Sequence, residues 1–293
     1  MSYAIHLLTM VTLFVMLALS LDLLVGFAGL LSLGHAALFG VGAYGSAILS
    51  KQGVPVVVAQ ALAVGAAALL SAFIAVPAMR VKGIQLLIVT IAVQVLFTVT
   101  AQSWTGLTGG DAGIPNIPAY ALFGVPLRGA GFLVFCIACS VVVWLLCRAL
   151  VRSPFGRLLQ AVRDDEVGSM ALGKNVAAAK ILVFAVSGAM AAFAGTLYAH
   201  YVSYVDPRSF DIGVSILVLL MVMLGGAGTL TGPLCGAVLL ALLPELLKFL
   251  PLPPGVAAAA RQLLYGLLLI LVVYFRPQGL FARAARRRGP VAA

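Results

Sequence analysis

The sequence predicts an all-α fold, a polytopic bundle of transmembrane helices, and three features carry that expectation. Of the 293 residues, 63% are hydrophobic and only 9% are charged, whereas a soluble globular domain carries roughly 25% charged residues. The apolar residues come in long blocks, and a membrane-crossing helix needs about 20 of them in succession. The positive charges, which leave a net charge of +10, gather between the blocks, as they do in loops on the cytoplasmic side of a membrane.

The first apolar block, 4–25, has no positively charged leader and reads as a first span rather than a cleaved signal peptide. Further blocks follow at 30–49, 54–76, 84–103, 131–150, 177–201, 212–224, 229–247 and 259–274. That gives about nine spans, with a range of eight to ten because the block 212–224 is short and runs into Gly225, Gly226 and Gly228. Broken or re-entrant backbone is tolerated at membrane depth only where protein buries it or a cavity adjoins it. So many spans leave only short loops, and the whole of 1–293 is expected to form one membrane domain, with no soluble catalytic domain.

The basic clusters are Arg80 with Lys82, the stretch from Arg148 to Lys180, and the tail 276–293 with Arg283, Arg286, Arg287 and Arg288. All three are expected in the cytoplasm. Counting spans back from them places the N-terminus outside, together with the loops 104–129 and 204–211. The tail is expected to lie against anionic lipid headgroups. No folded nucleic-acid reader accompanies these charges, so nucleic acid is not an expected partner.

Small residues are dense within the blocks. Gly40, Gly42 and Gly45 lie on one helix, and Gly232 and Gly236 form a GxxxG pair; such residues let helix backbones approach closely. The stretches beginning at Gly26 (GFAGLLSLGHAALFG) and Gly225 (GGAGTLTGPLCGAVL) look alike, which suggests an internal repeat of the kind transporters carry.

Two phosphate-binding patterns are decoys. GVGAYG at Gly40–Gly45 matches a dinucleotide fingerprint but sits inside an apolar helix rather than after a strand. GSMALGKN at Gly168–Asn175 matches GxxxxGK, yet Asn175 stands where a magnesium-holding Ser or Thr belongs, and Arg163, Asp164, Asp165 and Glu166 precede it instead of a strand. Any ATP must therefore be hydrolysed by a partner. Cys136 and Cys139 form CxxC, but with Cys147 they fall in one apolar block without polar company and read as packing residues.

The loop 151–176 is the most informative segment. Ser153 and Pro154 make a helix start, with Ser as cap and Pro as first residue. Phe155, Leu158, Leu159 and Val162 then recur at helical spacing as one apolar stripe, opposite Arg157, Gln160 and Arg163. Asp164 or Asp165 caps a second short helix, ending near Gly173. The pair reads either as a solvated surface loop or as a docking element whose apolar stripe enters a partner's groove. Among ionisable residues, His35, after Ser32 and Gly34, either lines a path or bonds structurally to a neighbouring helix. Asp22, His200 and Glu245 are expected at span ends, where interfacial water suffices. Candidate pathway residues are Ser32, Gly34, His35, Gly225, Gly226 and Gly228. No nucleophile–base pair, metal-ligand cluster or paired carboxylate is expected, and no cofactor.

Several of these stretches resemble one family. GFAGLLSLGHAALFGVGAY at Gly26–Tyr44, TGGDAGIPNIP at Thr108–Pro118, SPFGRLLQAVRDDEVGSMALGKN at Ser153–Asn175, the run from Val205, and YFRPQGLF at Tyr274–Phe281 occur in order over nearly the whole chain. They are similar to the permease subunits of bacterial ATP-binding-cassette importers for branched-chain amino acids. The resemblance implies an inner-membrane permease that pairs with a second, homologous permease. It also implies cytoplasmic P-loop ATPase subunits docked on loop 151–176 and a periplasmic substrate-binding protein. Carried over by position, Arg163, Asp164, Asp165, Glu166 and Gly173 belong to the coupling loop. Val167 and Gly168 stand where alanines are expected, and a Gly in a helix interior costs about 1 kcal/mol relative to Ala. The implied substrates are leucine, isoleucine and valine, with urea, short amides or other amino acids as alternatives. A stand-alone secondary transporter or channel calls for charges paired near the midplane, and few are present.

Overall fold

A computed structural model describes residues 3–78, 83–122, 125–247, 263–264 and 266–267. It is a helical bundle. The helices are α1 (Tyr3–Asp22), α2 (His35–Lys51), α3 (Val56–Ala78), α4 (Ile84–Ser103), the single turn α5 (Thr105–Thr108), α6 (Ala130–Arg152), α7 (Pro154–Asp164), α8 (Glu166–Ala171), α9 (Val176–Val202), α10 (Ile212–Gly225) and α11 (Thr231–Leu247). A π-helical turn, Leu23–Phe27, extends α1. Among the described residues, six helices are long and apolar enough to cross a membrane: Tyr3–Phe27, Val56–Pro77, Gln85–Ser103, Ala130–Arg152, Val176–Val202 and Pro207–Gly225. Helices α2 and α11, of 17 residues each, are shorter. These eight match the first eight apolar blocks; the block 259–274 and the tail 276–293 lie almost wholly outside the described residues, as do Arg80 and Lys82.

Burial separates centre from rim. In the most apolar stretch of α1, 78% of residues are buried, against 22% in α4 and in α6. Helix α1 therefore forms the axis, touching α6, α9, α10 and α11, while α2, α3 and α9 pack together beside it. The outward faces of α3, α4 and α6 expose Leu69, Phe73, Leu96 and Val134, which suits apolar side chains facing lipid.

The close helix contacts rest on glycine, as the small-residue pattern predicts. A Cβ at Gly42 in α2 would strike the backbone of Ala192 in α9, and one at Gly195 in α9 would strike the carbonyl of Phe39 in α2. In the same way Gly225 and Gly236 bring α10 and α11 together, against Gly232 and Met221.

One end of the bundle carries α7 and α8 with Arg148, Arg152, Arg157 and Lys174; we call it the basic end. At the other end, His6 of α1 meets Tyr201 of α9 (3.1 Å) and Lys51 of α2 donates to the Pro115 carbonyl (3.1 Å). Short antiparallel ladders, Ile114–Pro115 with Tyr204–Val205 and Ala121–Leu122 with Val125–Pro126, tie the loops there. His200, expected at a wet span end, is instead buried: Nδ1 meets the Pro118 carbonyl and Nε2 the Ser46 hydroxyl, both at 2.7 Å. A carbonyl only accepts, so Nδ1 carries the proton and His200 pins this loop to α2 and α9. Tyr120 donates to Gln60 Oε1 (2.7 Å), and burial pushes its phenol up to about 12, keeping it a donor at neutral pH.

Replacing Gly195 with Leu should wedge α2 from α9 and destabilise the bundle by roughly 1–3 kcal/mol, the usual cost of overpacking. Thermal unfolding in detergent checks this, with Gly65→Ala as control, because a Cβ there meets nothing; equal melting of Gly195→Leu and the native protein would show that the glycine contact is dispensable.

Candidate functional site

Loop 151–176 folds as its residues predict. The Ser153 hydroxyl oxygen accepts from the Gly156 N–H (3.3 Å), with Pro154 in the first turn of α7. Asp165, rather than Asp164, caps α8 through the Gly168 N–H (2.9 Å), and Gly173 closes it with φ of +73°. A Cβ at Gly168 would meet only the Asp165 carboxylate that caps this helix, the mobile end of an exposed side chain. The Glu166 carboxylate pairs with Lys180 of α9 (2.7 Å), whose side chain is only 4% exposed, and so fastens α8 to the bundle.

The apolar stripe of α7 points the other way from the expected docking ridge. Leu159 and Val162 are buried against the bundle, and Phe155 and Leu158 are half-buried beside them. Leu159 and Val162 thus anchor α7 to the bundle. What is exposed is a second apolar group on and just after α8: Val167, Met170 and Leu172, the last 80% exposed. Spacing alone did not mark these three, because an alternation of large and small residues over one short helix has no clear period. Arg157, Asp164 and Asp165 are exposed around them.

The candidate pathway residues occupy two helix interruptions. The first lies between the π-helical turn and α2. Its loop, 28–34, begins α2 five residues later than the predicted block, because Gly29 takes φ of +69° and the donors after it turn to side chains. The N–H of Leu33 donates to Thr90 Oγ1 (3.1 Å), that of Ala36 to Ser215 Oγ (2.9 Å) and that of Ala37 to Gln94 Oε1 (2.8 Å). Helices α4 and α10 thus cap α2. Ser32 is buried; Gly34 lies against the Thr90 carbonyl; His35 is fully buried with Nε2 at 2.7 Å from Ser20 Oγ. His35 therefore bonds to a neighbouring helix.

The second interruption, 226–230, joins α10 to α11. Gly226 and Gly228 take φ of +110° and +79°, which disfavours any side chain. Both interruptions lie beside the end of α1. Asp22, fully buried rather than interfacial, accepts the Gly228 N–H (2.8 Å) through Oδ1. Gly26 lies against Gly228 so closely that a Cβ on it would overlap the backbone there and the Asp22 carboxylate. Arg163, near the end of α7, donates through Nη1 to the Gly26 carbonyl (2.6 Å), and its stem covers Gly29. Its guanidinium also pairs with Asp164 (3.0 Å). A cavity of about 640 Å³ adjoins this knot, lined by Phe27, Trp144, Arg148, Arg152 and Thr229 among others.

Asp22, Ser20, Gly26, Thr90, Gln94 and Ser215 were not among the sequence candidates. The available signal was a lone carboxylate or amide inside an apolar block, a residue that needs an internal partner. Among the described residues no group of His, Cys, Asp and Glu is placed to hold a metal ion, and the four cysteines are free thiols.

A family model described as "Branched-chain amino acid transport system / permease component" matches residues 3–273. The chain belongs to that permease family. It is similar to the high-affinity branched-chain amino acid transport system permease protein LivM of Salmonella typhimurium, 32% identical over 93% of this chain and 68% of that protein. The LivM of Escherichia coli is 31% identical over the same shares. The autoinducer 2 import system permease protein LsrC of Salmonella typhi is 28% identical over 59% of this chain and 49% of its own. No solved structure matches. The chain is thus a multi-pass inner-membrane permease subunit.

The inward turn of α7 predicts that Leu159→Asp removes packing worth roughly 2–5 kcal/mol and buries a charge besides. The amount of folded protein in the membrane should fall sharply, while Leu172→Asp leaves it unchanged; quantitative blotting of membrane fractions distinguishes the two.

Proposed function

We propose that this chain is the permease subunit of an ATP-binding-cassette importer for leucine, isoleucine and valine, and that α8 is where the ATPase docks. The observation that carries the docking assignment is the exposed trio Val167, Met170 and Leu172, on and just after a helix whose first residue is fixed to the bundle. Asp165 caps its start and Glu166 is locked to Lys180. An apolar group exposed on a rigid polar-flanked helix suits a groove in a soluble partner. In this reading the basic end is cytoplasmic and the N-terminus outside, with nine spans in one domain. A second homologous permease completes the pathway, and a periplasmic binding protein delivers the solute to the end that carries loop 104–122. The two helix interruptions are the parts that move.

The relatives named for branched-chain amino acid transport support the substrate class. Those named for autoinducer 2 match a smaller part of the chain. Other amino acids, urea and short amides remain the alternatives to be tested with the binding protein.

A mild-detergent pull-down of the tagged protein from its own membranes should bring a P-loop ATPase and a second permease with it. Recovery of the chain alone, from extracts in which other complexes survive, would overturn the reading and favour a stand-alone transporter. Changing Met170 and Leu172 together to Asp should abolish ATPase recovery while membrane levels stay normal. ATPase recovery at the native level from that double variant would place the docking surface elsewhere.

A further inference from the structure

Resting on that reading, we infer that Arg163 and Asp22 are the transmission between the ATPase-docking element and both helix interruptions. Four features of the structure converge on this. Arg163 is the penultimate residue of α7, one turn before the exposed group of α8, so it moves with the docking element. It also reaches the first interruption, covering Gly29, and holds the Gly26 carbonyl of the π-helical turn just before it at 2.6 Å. Asp22 holds the second interruption through the Gly228 N–H at 2.8 Å. Gly26, in the π-helical turn that leads into the first interruption, touches Gly228 of the second with no room for a Cβ between them, so the second interruption is packed on the segment that enters the first.

The contacts also have the character of a movable joint. Arg163 is 38% exposed and shares its guanidinium between the Gly26 carbonyl and Asp164, so it can be pulled from either side. Asp22 Oδ2 is buried and has no hydrogen-bond partner among the described residues, while Oδ1 is engaged. A buried carboxylate oxygen without a donor is a costly arrangement, and the guanidinium beside the same glycines is the group placed to relieve it. Movement of α7 toward the bundle brings the guanidinium to Oδ2 and releases the Gly26 carbonyl; withdrawal restores the arrangement seen here. Arg163 and Asp22 are positioning residues. Neither is required to touch the solute.

The test uses the purified complete importer in proteoliposomes, reading both solute uptake and ATP hydrolysis. Arg163→Ala should leave assembly and hydrolysis near native levels but lower uptake per ATP about tenfold, a change within the usual span of coupling between sites. Arg163→Lys, which keeps charge and donor, should recover most of that ratio. Asp22→Asn should lower it as well, and the double variant should be no worse than Arg163→Ala alone, because residues acting through one link are not additive. A native uptake-to-hydrolysis ratio in Arg163→Ala, or losses that multiply in the double variant, would overturn the inference. If Arg163→Ala does not assemble, amide exchange in the Arg163→Lys and Arg163→Gln complexes decides. On adding a non-hydrolysable ATP analogue, residues 226–232 should change protection in the native and Lys proteins and not in Gln; an equal response in all three would overturn it. Failure of the native chain to assemble with an ATPase would instead overturn the proposed function, so the two failures are distinguishable.

Discussion

A helix that ends inside an apolar bundle leaves backbone donors and acceptors that only protein can satisfy. Here α2 begins and α10 ends in such surroundings, and the rest of the architecture is arranged around that constraint. The donors at the head of α2 go to Thr90, Gln94 and Ser215, so α4 and α10 must lie against it. The donor in the second interruption goes to Asp22, which fixes the loop to α1. Gln94 Nε2 reaches on to the Phe210 carbonyl (2.6 Å), which ties the loop before α10 to the same cap. Breaking one of these bonds exposes a buried polar group, so the caps hold the interruptions in one arrangement until something else supplies a partner.

Glycine is the other half of the same solution. Side chains placed at Gly26 or Gly228 would separate the end of α1 from the second interruption and leave Asp22 out of reach of its N–H donor. Close backbone approach and side-chain capping are therefore one requirement met jointly, with the small residue making room for the bond. The same pairing recurs between α3 and α9, where Gly188 lies against Ser71, whose hydroxyl donates to the Phe184 carbonyl.

This explains which parts were legible in the sequence. Block length and composition locate the helices because crossing an apolar layer demands length, and Ser153-Pro154, Asp165 and Gly173 mark the loop helices because caps are local. The direction of the α7 stripe was not legible. Periodicity shows that Phe155, Leu158, Leu159 and Val162 share a face, yet whether that face meets the protein's own bundle or another molecule depends on how α6, α9 and the turn at 23–27 are placed around it. Asp22 was misjudged for a similar reason. Near the end of an apolar block it looks interfacial, but the π-helical turn after it continues the helix and carries the real boundary beyond Phe27. Long-range caps such as Gln94 to Ala37 leave no local trace apart from an amide in an apolar block.

The interior polar groups are largely committed to this structural work. Ser187 donates to the Ser20 carbonyl (2.6 Å), Ser20 meets His35, Gln60 meets Thr196 (2.8 Å) and Tyr120, and His200 holds Ser46 and Pro118. Asp22, His35 and Tyr44 each keep one buried atom without a hydrogen-bond partner among the described residues; Asp22 and His35 are already held through their other atom, while the Tyr44 hydroxyl is not. A side chain engaged in holding backbone in place is poorly suited to coordinating a passing solute. Among the described residues, most interior polar side chains are therefore engaged in holding the bundle together. At the end of α1, Asp22 and Gly26 hold the second interruption while Arg163 of α7 bonds to the same glycine. Such a design fits a permease in which another subunit chooses the solute, and it fits a family whose members carry names from branched-chain amino acid to autoinducer 2 transport.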